Sequence, residues 1–532
     1  MRAVSGFAIL GLVLGLVILT QRNFYEDEWV TLSTIHKPMA ELVRWSNTQD
    51  IHPPGVYAMD RVILQAVNAP RVLGAVHLLM WWAGLLMFVM AARRLLASAR
   101  GQTLFAAIAF LHPQVLMWNS SLRWYPIWWG FAFAMIAIGL LRKGALPPGW
   151  RATIALGLAA GLLVYVDYLA LLFLPLFAAA WVVRWGWSRA ALGRLALIAA
   201  LSAALATPQL IQLSSAILHS GHGQMTSPLM AGARLVHALT MGGAILPWHP
   251  VAVIASLVVL LPCTVLAITG MPATVQRLAA SQPPAHRELI ALLGLLIVMA
   301  VAGAVTGIGS HTYALMGLAP MVAFVLALGA ERIRGRAVWT LVVVVTALWM
   351  GTGAWHLTAR ASTSKRLVND HPEENIARLE QLANGGPALV FTNDLVLTFE
   401  INQRRARGTT RLAVCSCMED RAHGYPSGLH DDPRRFPYVI VVTHPDPPYD
   451  EVGRISHEAL VRARDFIDQS RTIDLGADPD WEWKRRIPGA RVESARLRAW
   501  YGRPLPGDWA AIGRRMQDAA RISILSEDPQ VH

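Results

Sequence analysis

Charge is what this sequence has least of. Only 15% of its 532 residues are Asp, Glu, Lys or Arg, where a soluble domain carries about 25%. With 54% hydrophobic residues and a mean hydropathy of +0.41, the composition excludes an ordinary soluble protein. It predicts a polytopic membrane protein instead.

Cysteine is nearly as scarce. Cys263, Cys415 and Cys417 are too few for a disulfide scaffold. The chain has no P-loop, no Gly-x-Gly-x-x-Gly and no recognisable site for a cytosolic nucleotide sugar. Acids are scarce in a lopsided way. Residues 358–532 carry 25 basic and 25 acidic side chains, whereas residues 1–357 carry 22 basic and only 9 acidic ones, the whole of the net +13. That basic excess sits in short loops between apolar runs, which excludes nucleic acid as a partner. No small-x-small cleavage pattern follows the apolar run Val4–Leu19, which ends in Thr20-Gln21-Arg22, so the N-terminus reads as an uncleaved anchor.

Roughly 20 apolar residues cross a bilayer as helix. Eleven such spans are predicted, near 4–20, 72–92, 102–119, 124–141, 152–166, 168–183, 195–212, 249–270, 289–307, 312–330 and 337–356. Fifteen of the 22 basic residues, Arg2, Arg94, Arg142, Arg184 and Arg334 among them, fall in alternate loops and mark the cytoplasmic side. Glu26, Asp27, Glu28, Glu41, Asp50, Asp60 and Asp167 fall on the other face, which leaves Glu288 and Glu331 inside. Tryptophans such as Trp118, Trp124, Trp185 and Trp355 lie near span ends, as an aromatic belt requires.

The outer loop at 24–57, between the first two spans, is dense in acids for so apolar a chain. Asp27-Glu28 follows the first span, and Asp50-Ile51-His52-Pro53-Pro54 returns the chain toward the membrane. Residues 38–46 and 56–69 have the look of short helices on the membrane surface. In the second, Val56, Met59, Ile63, Leu64 and Val67 recur at helical spacing, with Asp60 and Arg61 on the opposite face.

An Asp-Glu pair after the first span, then Asp-x-His-Pro-Pro before the second, resembles the GT-C glycosyltransferases. The nearest likenesses are the protein O-mannosyltransferases and the lipid A aminoarabinose transferases, which use polyprenyl-phosphate sugars. The resemblance covers residues 1–357 and implies an outer loop, 21–71, with two juxtamembrane helices. It implies a polyprenyl-phosphate-linked sugar as donor, a protein, lipid or glycan as acceptor, and membrane lipid as surroundings. It also places the protein in a bacterial inner membrane.

Sugar transfer from such a donor needs a base for the acceptor's proton, cations for the departing phosphate and an apolar groove for the lipid tail. Asp27 matches the family's base, with Glu28 as its helper or as a ligand for a divalent metal cofactor. Arg123, in the short outer turn Ser120–Tyr125, resembles the family's Arg-x-Tyr and is the leading phosphate ligand, with Tyr125 beside the substrate. An arginine outside runs against the positive-inside bias, and its plainer role is to snorkel to headgroups.

His52 bonds phosphate or sugar, or caps a helix, with Asp50 beside it. Tyr165, Asp167 and Tyr168 resemble a Tyr-x-His-Tyr run of relatives, with Asp167 in place of the histidine. His311 and Tyr313 stand where relatives often have Arg-Tyr, so a second phosphate-binding arginine is missing there unless Arg71 or Arg234 substitutes.

The outer stretch 212–248, with Gly221, Gly223 and Gly232, is a lid or a loose connector. After Trp355, residues 388–398, 411–417 and 438–444 read as buried strands, with helical patterns at 372–384 and 454–469. They predict an α/β domain over 358–532, extracytoplasmic by the parity of the spans. Cys415, Cys417, His423 and His430 match no familiar zinc spacing and read as strand residues. Two other functions stay open. A flippase or transporter for a lipid-linked sugar calls for charges inside spans and internal repeats, and an inactive scaffold accords with His311.

Overall fold

The computed structural model describes residues 2–21, 24, 26–48, 52–67, 69–219, 228–241, 258–259, 265–266, 285–305, 315–358, 372–416, 428–429, 431–443, 451–476 and 497–525. The chain forms α1 (Arg2–Gln21), α2 (Glu26–Ile35), α3 (Met39–Thr48), α4 (Gly55–Val67), α5 (Pro70–Ala92), α6 (Ala99–Leu111), α7 (Pro113–Trp118) and α8 (Trp124–Met135). It continues with α9 (Trp150–Val166), α10 (Ala170–Trp185), α11 (Arg189–His219), α12 (Pro228–Met241), α13 (Ala285–Val305), α14 (Leu318–Ala330) and α15 (Arg336–Thr358). Prolines open α5, α7 and α12, where the missing N–H costs nothing.

Residues divide into two compact units, one of 1–22 with 50–364 and one of 23–49 with 365–532. The first is a helical bundle. Among its described helices, α1, α5, α11, α13 and α15 are long and apolar enough to cross a membrane. Their outer faces are themselves apolar: Leu348 on α15 is 64% exposed and Ile9 on α1 is 60% exposed. Water would penalise such faces and lipid would not. The predicted span at 249–270 lies almost wholly outside the described residues.

Two predicted elements break differently from expectation. The run at 102–119 is two helices, because His112, held extended before Pro113 (φ −55°, ψ 131°), closes α6 and opens α7. The stretch 212–248 is partly helical: α11 continues to His219 and α12 occupies Pro228–Met241.

Small residues let the helices approach. A Cβ on Gly84 of α5 would strike the carbonyl of Gly130 on α8, so the two backbones cross in contact. Polar side chains clasp the end of the bundle that bears Arg94, Arg142 and Arg184. Glu288 at the start of α13 bridges Arg94 (2.8 Å) and Arg184 (2.7 Å). The Arg184 guanidinium also donates to the carbonyls of Leu140 (3.1 Å), Arg142 (3.1 Å) and Gly144 (2.8 Å), which closes the π-helical turn Ile136–Leu140 that continues α8. Glu331, after α14, accepts from the Ser98 N–H at 2.7 Å and ties down the start of α6.

The second unit is an α/β sandwich with α16 (Pro372–Leu382), α17 (Leu395–Ala406), α18 (Glu451–Asp465) and α19 (Trp509–Leu525). Its sheet comprises β1 (Ala388–Thr392), β2 (Leu412–Ser416), β3 (Tyr438–Thr443), β4 (Ile467–Gly476) and β5 (Leu497–Pro504), in the order β2-β1-β3-β5-β4. The first three strands run parallel and the last two pair antiparallel. Alternate side chains feed two cores. Leu389, Phe391, Ala413, Cys415, Val439 and Val441 pack on α18 and α19, while Val390, Leu412, Ile440 and Val442 pack on Ile376, Leu379, Leu397 and Ile401. Burial on both faces explains why these strands read as unbroken apolar runs. The predicted strand 388–398 stops at Thr392, because Asp394 accepts from the Leu397 N–H at 2.7 Å and caps α17. Helix α2 belongs to this unit and packs against α17.

Candidate active site

The bundle end opposite the Glu288 clasp is built on α4. His52-Pro53-Pro54 turns the chain into this helix, and its first residue, Gly55, has no room for a Cβ against the carbonyl of Tyr165. That close approach seats the start of α4 on the end of α9. There the Nδ1 of His52 lies 2.9 Å from the Oδ2 of Asp167, while the Asp167 Oδ1 accepts the Leu169 N–H at 2.8 Å. Asp167 is thereby fixed by the backbone and in turn fixes the imidazole of His52. A carboxylate partner at one ring nitrogen orients the other. The His52 ring also lies 5.8 Å from that of Trp124.

Arg123 is the N-cap of α8, extended at φ −121° and ψ 170°. Its guanidinium is half-buried and donates to the Tyr57 hydroxyl at 3.4 Å. A guanidinium beside the positive end of a helix makes an electropositive corner suited to a phosphate. Tyr125 is buried behind this corner. Its hydroxyl pairs with the Ser121 Oγ at 3.2 Å and its ring meets Trp118 and Trp124 edge-on. Tyr168 accepts from Gln209 of α11 at 2.6 Å, and Tyr165 donates to the Leu205 carbonyl at 3.0 Å.

Asp60 departs most from expectation. The helical pattern sets it opposite the apolar face of α4, yet the buried face comprises Val56, Tyr57, Asp60 and Leu64. Asp60 meets the Nε2 of His77 on α5 at 2.8 Å, with both side chains fully buried. The Nδ1 of the same imidazole lies 2.7 Å from the Ser121 carbonyl. An ionisable residue inside the apolar run of the second span was the available signal for His77. Tyr57, Trp124 and Gln209 carried no comparable mark.

The cluster therefore unites His52, Asp167, Arg123 and Tyr57. Asp27 and Glu28 lie in the first turn of α2, with Glu28 fully buried; of Asp27 only the backbone is described. Asp50, His311 and Tyr313 lie outside the described residues, as do Cys417, His423 and His430, and the side chain of Arg234 is likewise not described. Arg71 donates to the Thr20 carbonyl at 2.5 Å and joins α5 to the end of α1. Among the described residues no three His, Cys, Asp or Glu side chains are grouped as a metal would need.

No family model and no curated protein matches the chain. Solved structures do match. The chain is similar to ArnT from Cupriavidus metallidurans in the apo state, with a TM-score of 0.55 and 13% identity over 94% of this chain and 97% of that one. It is similar to the same protein bound to undecaprenyl phosphate, with a TM-score of 0.54, 13% identity and the same coverage. At that identity the likeness speaks for architecture alone: this chain shares the fold of ArnT over most of its length.

Proposed function

We propose that this protein is a membrane glycosyltransferase that moves a sugar from a polyprenyl phosphate to an acceptor hydroxyl on the extracytoplasmic face. The observation that carries this reading is the corner formed by Arg123, Tyr57 and the His52–Asp167 pair, set in the fold of a protein that binds undecaprenyl phosphate. Asp27 takes the acceptor's proton as its oxygen attacks the anomeric carbon. The bond from that carbon to the phosphate oxygen breaks, and polyprenyl phosphate leaves with its charge held by Arg123. His52, His311 and Tyr313 assist at the phosphate, Asp50, Asp167 and Tyr168 at the sugar, and Glu28 supports Asp27. The roles of Asp27, Asp50, His311 and Tyr313 rest on their places in the sequence motifs.

Analysis of membrane lipids tests the reading in cells. A strain lacking the protein accumulates a polyprenyl-phosphate sugar, and a strain overproducing it depletes that lipid. Unchanged lipid pools in both strains contradict the assignment.

Two further outcomes follow. Arg123→Lys keeps the charge but replaces a two-pronged donor with a single compact one. Loss of one charge-assisted bond costs about 1.5–3 kcal/mol, or roughly tenfold or more in rate; normal transfer by the lysine variant makes Arg123 a headgroup anchor. With eleven spans, the C-terminal domain and the 24–57 loop share the outer side. Reporter fusions after Arg94, Asp167 and Arg360 read this directly, and a fusion after Arg360 active only in the cytoplasm overturns it.

A further inference from the structure

We infer that Asp60 and His77 are positioning residues for Arg123: they hold the turn that carries it by fixing the Ser121 carbonyl. The inference rests on the reading of Arg123 as the phosphate ligand. Three features converge on the turn. The imidazole of His77 bridges Asp60 (2.8 Å) and the Ser121 carbonyl (2.7 Å). One helical turn earlier on α5, Gly74 lets the turn lie close, since a Cβ there would come within 3.0 Å of the Ser120 carbonyl. One helical turn earlier on α4, Tyr57 accepts from the Arg123 guanidinium at 3.4 Å. Helix α4 thus grips the turn twice from positions i and i+3 of one face, directly through Tyr57 and through His77 by way of Asp60.

The hydrogen-bond inventory sets how the grip works. A carbonyl only accepts, so the Nδ1 of His77 must carry a hydrogen toward Ser121. The facing Nε2 and the Asp60 oxygen then have one hydrogen between them. A carboxamide at position 60 satisfies the same arrangement, because its NH2 donates to Nε2. Alanine at position 60 leaves the imidazole unheld, and alanine at position 77 leaves both the buried Asp60 and the Ser121 carbonyl without this partner.

The experiment compares Asp60→Ala, Asp60→Asn and His77→Ala, each alone and combined with Arg123→Ala, in the full chain in lipid nanodiscs. One readout is amide hydrogen exchange in the peptide covering 119–125; the other is the Kd for undecaprenyl phosphate. The expected result is faster exchange there and about tenfold weaker binding for Asp60→Ala and His77→Ala, with Asp60→Asn close to the parent in both. In the Arg123→Ala background these changes add nothing further to the loss of binding. Unaltered exchange in His77→Ala overturns the inference. So does equal weakening with and without Arg123, the mark of a merely structural role, and so does Asp60→Asn behaving like Asp60→Ala. If Arg123→Ala binds as the parent does, the phosphate role of Arg123 falls, while exchange at 119–125 still decides whether the pair holds the turn.

Discussion

Asp27→Asn is expected to abolish transfer while the protein stays folded and the donor stays bound. Asparagine keeps the shape of the side chain but cannot take the acceptor's proton, and loss of a general base costs about 10²–10⁴ in rate. Under the proposed mechanism Asp27 faces the donor, and removing its negative charge leaves affinity for the phosphate unchanged or raises it. Turnover and undecaprenyl phosphate binding, measured on one preparation, separate the two effects. Glu28→Gln is expected to be milder, unless Glu28 holds a divalent metal, in which case a chelator also stops the parent protein. Normal turnover by Asp27→Asn with a dead Glu28→Gln exchanges the two roles.

The second large effect lies at the opposite end of the bundle and concerns stability. Glu288→Ala removes the carboxylate between Arg94 and Arg184, and the Glu288 and Arg184 side chains are 4% and 1% exposed. Stripping one partner from a buried ion pair leaves an uncompensated charge and costs about 3–5 kcal/mol. Part of that cost is recoverable, because Glu288→Gln retains an oxygen that accepts from one guanidinium. Unfolding of the detergent-solubilised protein, followed by temperature, checks both. A Glu288→Ala variant that melts with the parent means the clasp contributes no net stability. A second glutamate, Glu331, has a comparable part in tying the start of α6, through the Ser98 N–H.

Hydropathy alone located the long helices α1, α5, α11, α13 and α15 because apolar residues dominate them and the signal grows with length; it gave no sign of α12 within 212–248. It failed at His112-Pro113, where one proline outweighs the apolar run around it. The parallel strands were legible for the same reason as the helices, since burial on both faces leaves no polar residue to interrupt them. The end of β1 was not, because Leu395, Val396 and Leu397 are as apolar as a strand and only the Asp394 cap turns them into helix. Strands β4 and β5 are not legible either: arginines and aspartates along them mask the pairing that holds them.

Within the candidate site, Arg123 and Asp167 are legible because each occupies a short turn between apolar runs, and His52 because it belongs to the Asp-x-His-Pro-Pro run of the outer loop. Asp60 was set on the wrong face of α4, since helical periodicity sorts residues by polarity and has no knowledge of a partner. That partner, His77, is 17 residues away on another helix. A buried polar residue is legible only with both halves of its hydrogen bond in view.

The central claim is that sugar leaves a polyprenyl phosphate at this protein. The direct measurement uses purified protein in liposomes supplied with the lipid extract of cells lacking it, with polyprenyl phosphate followed by mass spectrometry over time. The account predicts that one polyprenyl-phosphate sugar in the extract disappears as free polyprenyl phosphate appears in equal amount, and that Asp27→Asn stops both. An extract whose polyprenyl-phosphate sugars all survive incubation with the folded protein and a full set of candidate acceptors contradicts it.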